Sequence, residues 1–355
     1  MDNKTNYEVW NKLYRFLLKD VKDFNSYILS FVSILIILLA GFVSYFVTSD
    51  SSFAWFSQTI RSNNNINVKV SLSGGSNSES AVNFLMKKVG YSGLEVITHE
   101  ADSTLQIGNI SDITEYRYRG SDEVVTNNYV YFNCSDINNQ TSQTCELYRI
   151  IGVFPVDDGT GKIENRVKLV KVASYGNYYW DENVNNWQVS SLNDLFNNAY
   201  YNSINTKYQY LIGNAKYYLG GSEGTILYTS AMYEYERKIS GSVYSGNPVN
   251  WTGKIALMYV SDYGYAANDA CTQVTLLSNY NVCSNYNWLH FEYEWLLAQD
   301  SSCDFAAFYS YSSVNLELVN SSLFAVRPVF YLTADAMFND IGDGSFDNPY
   351  QLMEK

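Results

Sequence analysis

The sequence predicts an α+β protein: a single-span membrane anchor followed by one extracellular domain built on antiparallel sheet. Three observations predict it. An uncharged apolar run covers residues 24–49, four strand-like stretches follow one another between residues 113 and 172, and a helical middle then gives way to more strands.

The run at 24–49 reads FNSYILSFVSILIILLAGFVSYFVTS, with Asp23 before it and Asp50 after it. A membrane-crossing helix takes about 20 mostly apolar residues, because only a helix or a closed barrel satisfies its own backbone in lipid. Tyr27 and Tyr45 lie near its ends, where amphipathic rings favour the headgroup zone. Lys4, Lys12, Arg15, Lys19 and Lys22 precede the run, and the next positive charge is Arg61. That bias places residues 1–23 in the cytoplasm and the rest of the chain outside a cell membrane crossed once, with the lipid bilayer as partner of residues 24–49. Ser52-Phe53-Ala54 also offers small residues for cleavage of an export signal after Ala54; the long charged lead favours a retained anchor.

Composition agrees with export. The net charge of −13 repels nucleic acid, so none is expected as a partner. The 33 tyrosines suit either a ligand-contacting outer surface or simple filling of β-structure. All five cysteines lie after the apolar run. Cys134 with Cys145, and Cys271 with Cys283, bracket short polar loops and read as disulfides of an oxidising compartment, which leaves Cys303 over. Zinc is disfavoured, since no C-x-x-C pair occurs.

The elements follow in order. Residues 50–77 are rich in Ser, Asn and Gly and read as a spacer. Residues 78–112 read as a short helix at 78–90 and an extended lead-in, and a globular domain is expected over 113–355. Within it, Ile113–Arg119, Asn128–Phe132, Glu146–Phe154 and Arg166–Val172 read as a consecutive antiparallel meander, with Pro155 ending the third strand. The last alternates charged and apolar residues, as a half-exposed strand should. Leu192, Leu195, Phe196, Ala199 and Tyr200 then recur at helical spacing behind a Ser190 or Ser191 cap. Tyr228–Lys238 is a second helix, Lys254–Val260 returns to strand, and Asp304–Tyr311, Val314–Val319 and Ala325–Leu332 close the sheet.

The ordered series ITEYRYRG, NYVYFNC, ELYRIIGVF, RVKLVKV, WTGKIALMYVSDYGYA, WLL, AVRPVFYL and GDGSFDNPYQL resembles an uncharacterised domain common in cell-surface proteins of Gram-positive bacteria, over residues 92–355. The resemblance implies an N-terminal membrane segment or export signal and brings no established activity. The WLL-then-VRP ending also resembles the C-type-lectin and formylglycine-generating-enzyme folds. The chain lacks a Glu-Pro-Asn calcium triplet and a copper-site cysteine pair, so neither activity carries over residue by residue.

Several constellations are chemical candidates. Trp180, Trp187 and Trp251, with Asp181 and Glu182 beside the first, compose a face on which rings stack sugars and carboxylates take hydroxyls. Asp340, Asp343 and Asp347 offer hard oxygens to calcium on a Gly-rich loop, against the competing reading of a plain turn. No other cofactor is expected. Gly220-Gly-Ser-Glu-Gly224 matches a nucleophile elbow but is followed by an extended stretch rather than a helix. A Cys303–His290 nucleophile pair and a structural Arg327 charge pair complete the set. Three functions compete: a ligand-binding or adhesion module for glycan or protein, an extracellular hydrolase of polysaccharide or peptide, and a structural envelope component.

Overall fold

The computed structural model describes residues 79–91, 93–121, 125–225 and 227–353. The early strands are β1 (Glu79–Ser80), β2 (Leu94–His99), β3 (Ile113–Tyr118), β4 (Tyr129–Phe132), β5 (Glu146–Asp157), β6 (Ile163–Lys171) and β7 (Asn177–Tyr178). Then come β8 (Ala215–Tyr218), β9 (Asn250–Gly253), β10 (Ile255–Ala256), β11 (Glu294–Gln299) and β12 (Ala306–Ser310). The last are β13 (Val314–Leu318), β14 (Phe324–Ala325), β15 (Val329–Tyr331) and β16 (Met337–Phe338).

They assemble into a seven-stranded sheet in the order β10-β15-β6-β5-β3-β2, with β4 also on β5, and a five-stranded sheet in the order β13-β12-β11-β14-β7. Two small ribbons, β1-β16 and β8-β9, complete them. One apolar cluster joins both large sheets, with Val153, Leu169 and Phe330 from the first and Trp295 and Phe308 from the second. Residues 79–112 belong to this body, since β1 pairs with β16 and β2 with β3.

β5 organises the larger sheet. Its first half pairs with β4 (Tyr129↔Arg149 through Phe132↔Glu146), and further along the same strand Gly152 and Val153 pair with β3. The expected meander is therefore corrected: β3 and β4 do not pair with each other but follow one another along β5. Gly152 permits the close approach, since a Cβ there would sit 2.0 Å from the Tyr116 carbonyl oxygen. Pro155 does not end the strand; it lies beyond the stretch paired with β3, where a missing N–H is tolerated.

The α+β expectation, with one main antiparallel sheet, is overturned. The described protein is mostly β-sheet, and its helices are short. The helical spacing at 191–204 is real but is realised as α (Ser191–Asp194), π (Leu195–Tyr200) and α (Tyr201–Ser203) turns, capped by the Ser190 hydroxyl, which accepts from the Asn193 amide. The strand expected at Lys254–Val260 stops at Ala256. A helix follows at Val260–Tyr265, because Asp262 accepts from the Tyr259 amide and caps it. The closing strand at Ala325–Leu332 divides at Arg327-Pro328, where the chain passes from one large sheet to the other.

The single-span anchor is also not seen. No helix among the described residues is long and apolar enough to cross a membrane, and the run at 24–49 lies outside the described residues, as does the 50–77 spacer. Both expected disulfides are present, Cys134–Cys145 and Cys271–Cys283, with Cys303 free.

Candidate ligand-binding surface

Alternation along a strand sends every second side chain to one face. In the five-stranded sheet, Trp295 on β11, Tyr309 on β12 and Asn315 on β13 are cross-strand partners and share a face. Trp295 is buried at its centre, packs edge-on against Trp180, and donates its indole N–H to the Tyr178 carbonyl at 2.9 Å. Over it the aromatic rings continue outward. Tyr293 stacks on Tyr311 with ring centroids 4.4 Å apart and planes 7° from parallel, and on Phe324 at 5.5 Å. Phe324 in turn meets Tyr309 at 4.6 Å.

Tyr293 is 49% and Tyr311 43% exposed, while Tyr309 and Phe324 are half-buried. The row is held in place from below. The Tyr311 carbonyl accepts from the Tyr263 hydroxyl at 2.8 Å and lies 2.8 Å from Nδ1 of His290. Polar groups flank the rings: Asn315, whose side-chain amide donates to the Ser313 hydroxyl, and Glu317, which accepts from Ser321. Burial pushes the Tyr309 phenol up, with nearby Glu317 and Tyr293 adding to it, so that hydroxyl remains a donor at neutral pH. Such a surface stacks flat apolar faces and bonds hydroxyls at its edge.

The residues chosen from sequence lie elsewhere. Trp180 and Trp187 are fully buried and pack edge to face at 5.6 Å, and Trp187 meets half-buried Trp251 at 6.1 Å. These rings fill the core and present no open sugar-stacking face. Asp181 is a turn and cap residue, accepting from the amides of Asn183, Val184 and Ser191. Glu182 lends its backbone carbonyl to Asn320.

Asp340, Asp343 and Asp347, the calcium candidates, lie in the loop before the last residues. Among the described residues no group of three or more His, Cys, Asp or Glu is placed to hold a metal ion. Positive φ at Gly342 and Gly344 folds the loop into a tight turn, and Asp343 accepts from the Ser345 amide and hydroxyl, which hold its carboxyl below the usual range. Ser222 is buried and donates to the Gly224 carbonyl. Burial pushes the Cys303 thiol up, the reverse of an activated nucleophile. Arg327 makes the expected buried pair, with two bonds to Glu294 at 2.8 and 2.7 Å.

Sequence reasoning missed a buried charge network. Arg117 on β3 bonds Glu115 and Asp262, each at 2.7 Å, and Lys168 on β6 bonds Asp262 at 2.5 Å. Arg237 bonds Glu236 at 2.7 Å, and Glu236 accepts from the Ser261 amide and hydroxyl. The three cations and three carboxylates balance. Burial pushes Lys168 down to about 8 against the pull of Asp262. Burial would raise Glu115, but Arg117 and His99 outweigh it and hold it well below the usual range. In Glu236 burial wins over Arg237 and the Ser261 bonds, and the carboxyl is raised. The adjoining cavity, lined by Glu115, Lys216 and Arg237 among others, is about 10 Å³, room for no more than a water. Closed and self-neutralised, the network is architecture. The alternating charges of β6 suggest a half-exposed face; instead Lys168 is buried on Asp262, and Arg166 is buried beside Glu164.

Compared with protein-family models, with curated proteins and with solved structures, the chain matches none, so the functional reading rests on the geometry.

Proposed function

We propose that the domain is an extracellular binding module that holds a glycan on the Tyr293, Tyr311, Phe324 and Tyr309 row. The observation that carries the reading is the row itself: stacked rings, two of them over two-fifths exposed, at the ends of the inner strands β11, β12 and β14, with Asn315 and Glu317 beside them. Free sugars present a flat C–H face and a rim of hydroxyls, and this surface offers the complement of both. Disulfides closing two loops support an oxidising compartment. The resemblance of the motif series to domains of Gram-positive surface proteins supports the same setting.

A glycan array probed with the full chain tests it. Binding of defined glycans is expected, about tenfold weaker for each of Tyr293→Ala and Tyr311→Ala, since each ring contributes on the order of 1–1.5 kcal/mol of stacking. A folded protein that ignores every glycan, or variants that bind as well as the parent, would sink the reading. Capture of a protein ligand through the same rings would replace glycan with protein.

A further inference from the structure

A second concavity opens beside the β4–β5 pair, at Tyr129 and Arg149. It has a volume of about 340 Å³, and its lining includes Gly120, Val125, Tyr129, Arg149, Asn287 and Trp288. That is the size range of small-ligand sites. Val125 is 77% exposed, so the mouth is open to solvent.

Arg149 is its one cationic lining residue. The guanidinium is clamped between two rings, 4.5 Å from the centroid of Tyr129 and 4.3 Å from that of Trp288. Cross-strand pairing fixes the first of these, because Tyr129 and Arg149 are direct partners. Three acceptors fix its plane: Asn128 Oδ1 takes the Nε–H at 2.7 Å, and the carbonyls of Trp288 and Thr126 take one N–H each from the terminal nitrogens, at 2.9 and 3.3 Å. An arginine carries five N–H donors, so two have no acceptor among the described residues.

Every one of those acceptors is neutral. Among the described residues no carboxylate forms an ion pair with Arg149, whereas nearby Arg327 is matched by Glu294. Burial pushes the group down to about 10; the Tyr129 phenol opposes that and Arg327 reinforces it. In a chain of net charge −13, this oriented cation thus has no carboxylate partner among the described residues, and it faces an open aromatic cavity.

We infer that this cavity binds a carboxylate-bearing small ligand or ligand segment, a sugar acid in size, with its carboxylate on the free edge of Arg149. One singly charged, two-oxygen group matches one unmatched cation with two spare donors; a phosphate dianion would bring a second charge with no partner. The inference does not rest on the Tyr293–Tyr311 row. Glycan stacking there and carboxylate capture here stand or fall apart.

Calorimetric titration of the full chain with glucuronate, glucose and inorganic phosphate tests it. Saturable binding of glucuronate is expected, at least about tenfold tighter than glucose or phosphate, because the charge-assisted pair supplies the difference. Arg149→Gln should remove glucuronate binding. Should that variant fail to fold, Val125→Glu, an exposed change at the cavity mouth, places a competing carboxylate beside the cation and should remove binding as well. Equal binding of glucose and glucuronate overturns the inference, as does phosphate matching glucuronate. Glucuronate binding that survives both substitutions overturns it too.

Discussion

Two regions of one sheet handle buried charge in opposite ways. Around Asp262 and Glu236, three cations and three carboxylates neutralise one another in a space that admits at most a water. Beside the β4–β5 pair, Arg149 lies between two rings in an open cavity and, among the described residues, has only neutral acceptors. Burial alone therefore does not mark a functional charge. Compensation and access do: a matched, sealed cluster holds the fold together, and an unmatched, accessible cation is free to meet a ligand.

The largest effect should come from breaking the match. Asp262→Ala leaves Lys168 without its carboxylate and Arg117 with Glu115 alone, and should cost on the order of 3–5 kcal/mol of unfolding free energy in a denaturant titration. A loss below about 1 kcal/mol would show that water reaches the cluster and would erase the contrast with Arg149.

Acid sharpens the comparison at intermediate size. Glu115 has its pKa depressed from 4.5, so its contribution is fully present above that value and is lost as pH falls toward the folded pKa. The stability gap between the parent and Glu115→Gln should therefore be widest near neutrality and narrow steadily below about pH 4.5. A gap that widens on acidification would contradict the pairing with Arg117.

The smallest effect has the opposite sign. Val125→Glu offers Arg149 a carboxylate that no described residue supplies, and thermal unfolding should show a gain of no more than about 1 kcal/mol, the usual range for a partly exposed pair. A marked loss of stability would mean that Arg149 is already compensated.

The contrast also explains which parts of the molecule were legible in the sequence. Strands β3 to β6, the Ser190 cap and both disulfides follow from local signals: alternation, a hydroxyl at the right offset, and cysteines around polar loops. Pairing and facing were not local. Lys168 looked solvated because its partner Asp262 lies 94 residues on, in a short helix just past the strand expected at Lys254–Val260, where the sequence suggested no helix. Tryptophans drew attention as a sugar face, yet their size drove Trp180 and Trp187 into the core, while the exposed rings came from Tyr293 and Tyr311, which flank separate strands. Aromatic residues at alternating positions, Tyr293/Trp295 and Tyr309/Tyr311, were the available signal. Arg149 read as one more residue of a strand, because nothing in its neighbourhood announces the absence of a distant acid.

The Cys134–Cys145 bond carries a consequence for that arginine. It fastens the hairpin just past Phe132↔Glu146, while Tyr129↔Arg149 forms three rungs away. Sliding one strand by a single rung would send the guanidinium to the opposite side of the sheet. The sulfur staple acts as a rivet at the closed end of a pair of tweezers, and the grip at the tips is kept in line by the chemistry of the medium in which the protein matured.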